Sequence, residues 1–188
     1  MNRALRTMAV IAVAAAAVFG CSTSSPVVNE ETMDIAALPT LKETQTQMLD
    51  LVVAVQAEIR RIVPGMAPFI WSGAWSNSGC PNDPAAAGAA LYFPQLRSPS
   101  PITDTQWDAV LPAVGKIANG AGLAGNWEPH AGTANAPTAK DIRFTSDDGR
   151  QLTFISREAT VLSATITCRR DVGDLFTPNE RLPLPPNP

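Results

Sequence analysis

Thr160-Val161-Leu162-Ser163-Ala164-Thr165-Ile166-Thr167-Cys168-Arg169 places Leu162, Ala164, Ile166 and Cys168 on one parity and Val161, Ser163, Thr165 and Thr167 on the other. Successive side chains of a strand point to opposite faces, so this stretch reads as a strand with one apolar and one largely polar face. Such a strand belongs in an antiparallel sheet covered on one side only, because strands of a parallel sheet are buried on both faces and read as unbroken apolar runs. The same parity points Cys168 inward with the apolar set.

Upstream, Asp141-Ile142-Arg143-Phe144 alternates in the same way, Asp147-Asp148-Gly149 is a hairpin turn, and Leu152-Thr153-Phe154 resumes the alternation. Gly120 to Thr138 is loop-like. Before it, Thr103-Asp104-Thr105-Gln106 is a capping box that opens a helix whose apolar stripe is Trp107, Val110, Leu111, Val114, Ile117 and Ala118. Pro112 lies inside that stripe, so a kink or break is expected there. Two further strands are expected, one from Pro68 to Ser76 and one from Gly88 to Gln95 that Pro94 ends, with the turn cluster Ser78 to Pro84 between them. A first helix runs from Thr40, where Thr40-Leu41-Lys42-Glu43 is another capping box, to about Ile62, and Pro64-Gly65 stops it. Its buried face is Leu41, Met48, Val52, Val55, Ile59 and Ile62. The order α-β-β-α-β-β-β therefore predicts an α+β fold: an antiparallel sheet of about five strands with two helices on one face.

The remainder of the 188 residues organises around this domain, expected at 40–181. Arg3 and Arg6 precede Met8 to Phe19, an uncharged run of twelve residues. A membrane-spanning helix needs about 20 apolar residues, so this run suits a cleaved signal peptide over residues 1–20. Val18-Phe19-Gly20-Cys21 resembles the bacterial lipobox, which implies that Cys21 is diacylated through its sulfur and becomes the new N-terminus. Residues 21–39 then form the lipidated cysteine and a flexible tether with a root-mean-square reach of about 23 Å. Each buried methylene contributes about 0.8 kcal/mol, and stable attachment takes at least two chains, so the anchor is to the cell membrane, on its extracytoplasmic side. Residues 182–188, LPLPPNP, read as a polyproline tail.

Of the three cysteines, lipidation of Cys21 leaves Cys80 and Cys168. In an oxidising compartment a lone pair is expected to bridge, and the chain has neither a Cys-x-x-Cys nor more than one histidine to favour a metal or redox site. With 14 basic and 17 acidic residues the net charge is −3, and no basic run exceeds two residues, so there is no footprint for nucleic acid. Loss of Arg3 and Arg6 with the signal leaves 12 basic residues against the same 17 acids, a net charge of −5.

Chemistry-bearing motifs are sparse. Gly120-Ala121-Gly122-Leu123-Ala124-Gly125 matches G-x-G-x-x-G but follows a helix, whereas a dinucleotide site needs a strand before it and a helix after it, so it reads as a helix exit. His130 has no nucleophile elbow or His-Glu-x-x-His beside it and reads as a loop histidine. Asp147, Asp148, Asp171 and Asp174 show no spacing that asks for a carboxylate pair. Trp71, Trp75, Trp107 and Trp127 could line a groove for a lipid or sugar, and the simpler reading is core packing. No catalytic residue, metal site or cofactor is assigned.

The lipobox, the helix ending in Val63-Pro64-Gly65, the turn Ser78-Gly79-Cys80, the helix from Thr103, and Ala164-Thr165-Ile166-Thr167-Cys168 with its proline-rich tail together resemble the LppA-like family of mycobacterial lipoproteins. The resemblance covers most of residues 16–188. It implies a membrane-anchored envelope protein with cysteines at the matching positions Cys80 and Cys168, and it carries no activity. The functional expectation is a non-enzymatic binding or accessory domain for an envelope lipid, glycan or protein partner. A hydrolase of envelope lipid or glycan, using His130 or an acidic pair, and a lipid carrier with an internal cavity are the alternatives.

Overall fold

In a computed structural model of the protein, residues 34–80, 88–123, 125–129 and 140–170 are described, all within the unit from Met33 to Pro188. The first helix, α1 (Leu41–Ile62), starts where its cap is strongest: Thr40 Oγ1 accepts from the Glu43 N–H at 3.3 Å, and Glu43 Oε2 accepts from the Thr40 N–H at 2.8 Å. Its buried face contains Leu41, Met48, Val52, Val55 and Ile59 as expected, and also Thr44, Gln45, Leu51 and Gln56.

Among the described residues there are eight strands rather than about five: β1 (Ile70–Ser72), β2 (Ser76–Gly79), β3 (Gly88–Tyr92), β4 (Gln95–Ser98), β5 (Gly125–Pro129), β6 (Lys140–Thr145), β7 (Arg150–Ser156) and β8 (Thr160–Arg170). The stretch expected as one strand over 68–76 is extended only at Ile70–Ser72, because Gly73 turns the chain at φ +88°, and β2 begins at its last residue and takes in Ser78 and Gly79, expected as turn. The stretch expected as one strand from Gly88 also continues past Pro94 as β4, and proline, with no N–H to donate, sits at the break. Part of the stretch expected as loop, Gly120 to Thr138, is β5.

All pairings are antiparallel, in the order β1-β4-β8-β7-β6-β5, with β3 on β8 and β2 on β3. The strand opened by Thr160 is thus central. The second helix, α2 (Asp104–Gly120), carries its capping box on Thr103 and Gln106 and buries Val110, Val114 and Ala118. It runs through Pro112 without the expected break; Pro112 is exposed, so the carbonyl it leaves unbonded can face water. The helix exits through a Schellman motif: Gly122, at φ +79°, donates to Asn119 O at 2.9 Å, and Leu123 donates to Ala118 O at 2.9 Å. The G-x-G-x-x-G is therefore a helix exit that leads into a strand.

The two helices pack on each other and on one face of the sheet, with one continuous core between them that includes Met48, Val52, Ile59, Val114, Phe154, Leu162 and Ile166. The direction of α1 is set at both ends. Beyond its C-terminus, Ser98 Oγ donates to Ala67 O at 2.8 Å, and Ser98 pairs with Thr160 at the start of β8. At its N-terminus Glu43, whose carboxyl the bonds from the Thr40 N–H and hydroxyl hold below its ordinary pKa, is also near enough to Arg170, the last residue of β8, for that charge to add to the shift. Helix α1 therefore runs antiparallel to β8, with Gln45 at the end where β8 stops.

That end corrects the expected parity of Cys168. Leu91 pairs with Ile166, but Ala89 pairs with Arg169, so Thr167 and Cys168 together oppose Ala90 in a β-bulge. Alternation shifts by one residue. Arg169 takes the inward place and is fully buried, while Cys168 is half-exposed.

Candidate functional site

The bulge assembles a polar cluster at the end of the central strands. Arg169 Nη1 donates to Cys168 O at 3.0 Å; Nη2 donates to Asp148 O and lies 3.2 Å from Asp148 Oδ2. Asp148 sits in the turn between β6 and β7, where Gly149 at φ +80° lets the chain reverse and its N–H donates to Ser146 O at 2.9 Å. Gly149 O accepts from the Thr167 N–H at 3.0 Å, and a Cβ on Gly149 would stand 1.8 Å from Thr167 Oγ1. Only glycine fits this approach of the turn to the bulge.

The Asp148 carboxylate is the hub. Arg150 Nε donates to both of its oxygens at 2.9 Å, Ser146 Oγ donates to Oδ1, and Arg150 Nη1 reaches Ala121 O at 3.0 Å, tying the hairpin to the exit of α2. Partial burial acts to raise the Asp148 pKa, but the bonds from Ser146 and Arg150 and the charges of Arg150 and Arg169 outweigh it and hold the carboxyl below its ordinary value. Burial pushes the Arg169 guanidinium below its usual value, and Asp148 opposes that shift. A carboxylate held ionised between two guanidiniums is a weak base, so the cluster is suited to holding charge in place rather than moving protons.

Two orphaned groups border this end of the sheet. Both amide atoms of the fully buried Gln45 lack a hydrogen-bond partner, and so does Arg169 Nε. A separate ion pair lies at the other end of β6, where the buried Asp141 accepts from Arg157 Nη2 at 3.3 Å. Among the described residues no group of three His, Cys, Asp or Glu could hold a metal ion, and no helix is long and apolar enough to cross a membrane.

Cys80 and Cys168 are bonded to each other, with their Cα atoms 5.5 Å apart. Trp75 is buried against Phe93, ring centroids 4.5 Å apart, and Trp107 stacks on Phe154 at 4.7 Å. Trp71 is partly buried against the core, and Trp127 lies on β5. Trp75 and Trp107 thus have separate aromatic partners in the core. Cys21, His130, Asp171, Asp174 and the tail 182–188 lie outside the described residues. Sequence reasoning missed Arg169 as a buried group: its only local signal is the adjacent Arg170, and the bulge that turns it inward depends on pairing with β3. It also took Asp148 as turn chemistry alone.

The domain so defined is an α+β layer of one antiparallel sheet under two helices, stapled by a disulfide. The chain belongs to the LppA family, described as lipoproteins confined to pathogenic Mycobacterium, whose sequence model matches residues 19–171. Membership makes it an envelope-associated lipoprotein. A crystal structure of a DUF4853 family protein from Actinomyces odontolyticus ATCC 17982 is similar with a TM-score of 0.56 and 13% identity, over 79% of this chain and 78% of that one. At that identity the likeness is one of fold. No curated protein matches the chain in sequence.

Proposed function

We propose that the protein is anchored to the extracytoplasmic side of the cell membrane by lipid on Cys21, and acts there as a non-enzymatic binding or accessory domain for an envelope lipid, glycan or protein. The observation that carries this reading is the position of Cys21. It closes a twelve-residue apolar run, and the family match, from residue 19, includes it. In this reading residues 1–20 are removed, 21–39 tether the domain, 40–181 fold, and 182–188 trail from it. The uses to which the fold puts its charges support a role without catalysis: Asp148, Arg150 and Arg169 join strands to a helix exit, and Lys140 pairs with Asp104 at 2.8 Å to fix the start of α2.

The test is detergent phase partition of the wild-type protein and of Cys21→Ala, expressed in its own envelope. Wild type is expected in the detergent phase and the variant in the aqueous phase. A variant that stays with the detergent removes the anchor. Native mass spectrometry of the gently extracted protein is expected to show a bound lipid, glycan or protein, and a bare mass across preparations removes the binding role.

A further inference from the structure

Two registers are open to the end of β8, and they differ in which residue is buried. In the observed register Thr167 and Cys168 share the place opposite Ala90, and Arg169 faces inward with Ala89. Straightening the strand by one residue would set Cys168 opposite Ala89 and Arg169 opposite Gly88. Cys168 would then join Leu162, Ala164 and Ile166 on the apolar face, and Arg169 would turn to the other side.

Neither register is free of cost. The bulged one buries a guanidinium whose Nε has no partner, and an unsatisfied buried donor is costly. The straight one gives up the contacts of Arg169 with Asp148 and turns Arg170 to the inward parity at the end of the strand; in exchange it buries a thiol, which packs as a small hydrophobe. It also leaves Asp148 paired, since Arg150 Nε still holds both carboxylate oxygens.

The bond to Cys80 is one hold on the bulge, beside the Gly149 turn and the Asp148 carboxylate. Strands two apart in a flat sheet are separated by about 9.6 Å, yet the Cα atoms of Cys80, just after β2, and Cys168, on β8, are 5.5 Å apart. The chain at Cys80 therefore leans across β3 toward β8. Cys168 cannot turn into the core while it is held there.

We propose that the Cys80–Cys168 disulfide is a redox latch: oxidised, it keeps β8 bulged and Arg169 inside the domain; reduced, it lets β8 straighten and deliver Arg169 to the surface. Both cysteines are half-exposed, so a reductant has access. A dithiol of the reductant supplies the two electrons. One of its thiolates attacks a protein sulfur and breaks the S–S bond, its second sulfur resolves the mixed disulfide, and its two protons end on Cys80 and Cys168. The outward face then exchanges the guanidinium of Arg170 for that of Arg169, because alternation turns Arg170 to the inward parity as Arg169 turns out.

The test uses the full mature protein, an arginine-directed dicarbonyl read by fragment mass mapping, and thiol alkylation under native conditions. In the oxidised protein Arg170 is expected to label while Arg169 and Arg150 are protected. After reduction with dithiothreitol, Arg169 should lose its protection while Arg170 labels more slowly than before, Arg150 should stay protected, and Cys80 should alkylate faster than Cys168. A Cys80→Ser variant should show the same Arg169 labelling and a slow Cys168 without reductant. Continued protection of Arg169, with Cys168 as reactive as Cys80, overturns the latch. Arg150 and Arg169 opening together also overturns it, because that is loss of the domain rather than a change of register.

Discussion

Arg169 meets Asp148 across the end of the sheet: the guanidinium, with none of its surface exposed, lies 3.2 Å from Asp148 Oδ2 and also donates to the Asp148 carbonyl. A charge taken wholly out of water is held there by a single carboxylate that it shares with Arg150. Removing that carboxylate strands two cations. Asp148→Asn is therefore expected to cost about 3 kcal/mol, the lower end for breaking a buried pair because Asp148 itself is partly exposed. Urea unfolding measures it, and a loss within error of zero would mean that Arg169 finds its counter-charge elsewhere.

The same carboxyl makes stability depend on pH in a defined direction. Its pKa in the fold lies below the ordinary carboxylate value, so the unfolded chain binds the proton more readily than the folded one. The stability this contributes is complete above the unfolded value of about 3.9. It is lost as pH falls further, through the folded value. Wild type should lose stability more steeply than Asp148→Asn below that point in unfolding curves taken at successive pH values. Parallel curves would assign the acid limb to other groups.

Gly149 should tolerate no side chain while Thr167 stands where it does. Its φ of +80° disfavours alanine, and a Cβ would fall 1.8 Å from Thr167 Oγ1. The two effects together should cost Gly149→Ala about 3 kcal/mol or more. In a Thr167→Ala background the hydroxyl is gone and part of the loss should return. A double-mutant cycle reads this directly, and an unchanged cost in the second background would show that turn and bulge do not touch.

Gln45 runs the other way. Its amide is fully buried with neither atom bonded, so folding takes it from water without recompense. Gln45→Met keeps the length of the side chain and removes both polar atoms. It should be neutral or stabilising by up to about 1 kcal/mol, seen as a raised denaturation midpoint. A clear destabilisation would show that the amide is bonded in solution.

Local rules carried both helices. The boxes Thr40 to Glu43 and Thr103 to Gln106 are closed by groups three residues apart, so the residues that begin each helix also contain its start signal. Alternation along β6, β7 and β8 is local in the same sense, and it yields the one-sided sheet and most of the core face. Strand number is less local. Gly73 and Pro94 split extended stretches into pieces whose pairing partners lie elsewhere in the chain, and β5 carries no alternating pattern over its five residues.

Within the cluster around Asp148 the bonds from Ser146 and Arg150 are local, two residues away in the same turn, whereas the place of Arg169 depends on tertiary pairing. Alternation along Thr160 to Cys168 puts Cys168 inside and Arg169 outside, and it would be right for a straight strand. The bulge opposite Ala90 inverts that order. Its supports come from three separate parts of the chain: Cys80, the turn at Gly149, and the carboxylate of Asp148. Residue types set which segments can be helix or strand because those preferences act over a few residues. Which of two adjacent side chains is buried at a strand's end depends on register against a neighbour, and register is settled only when distant segments meet.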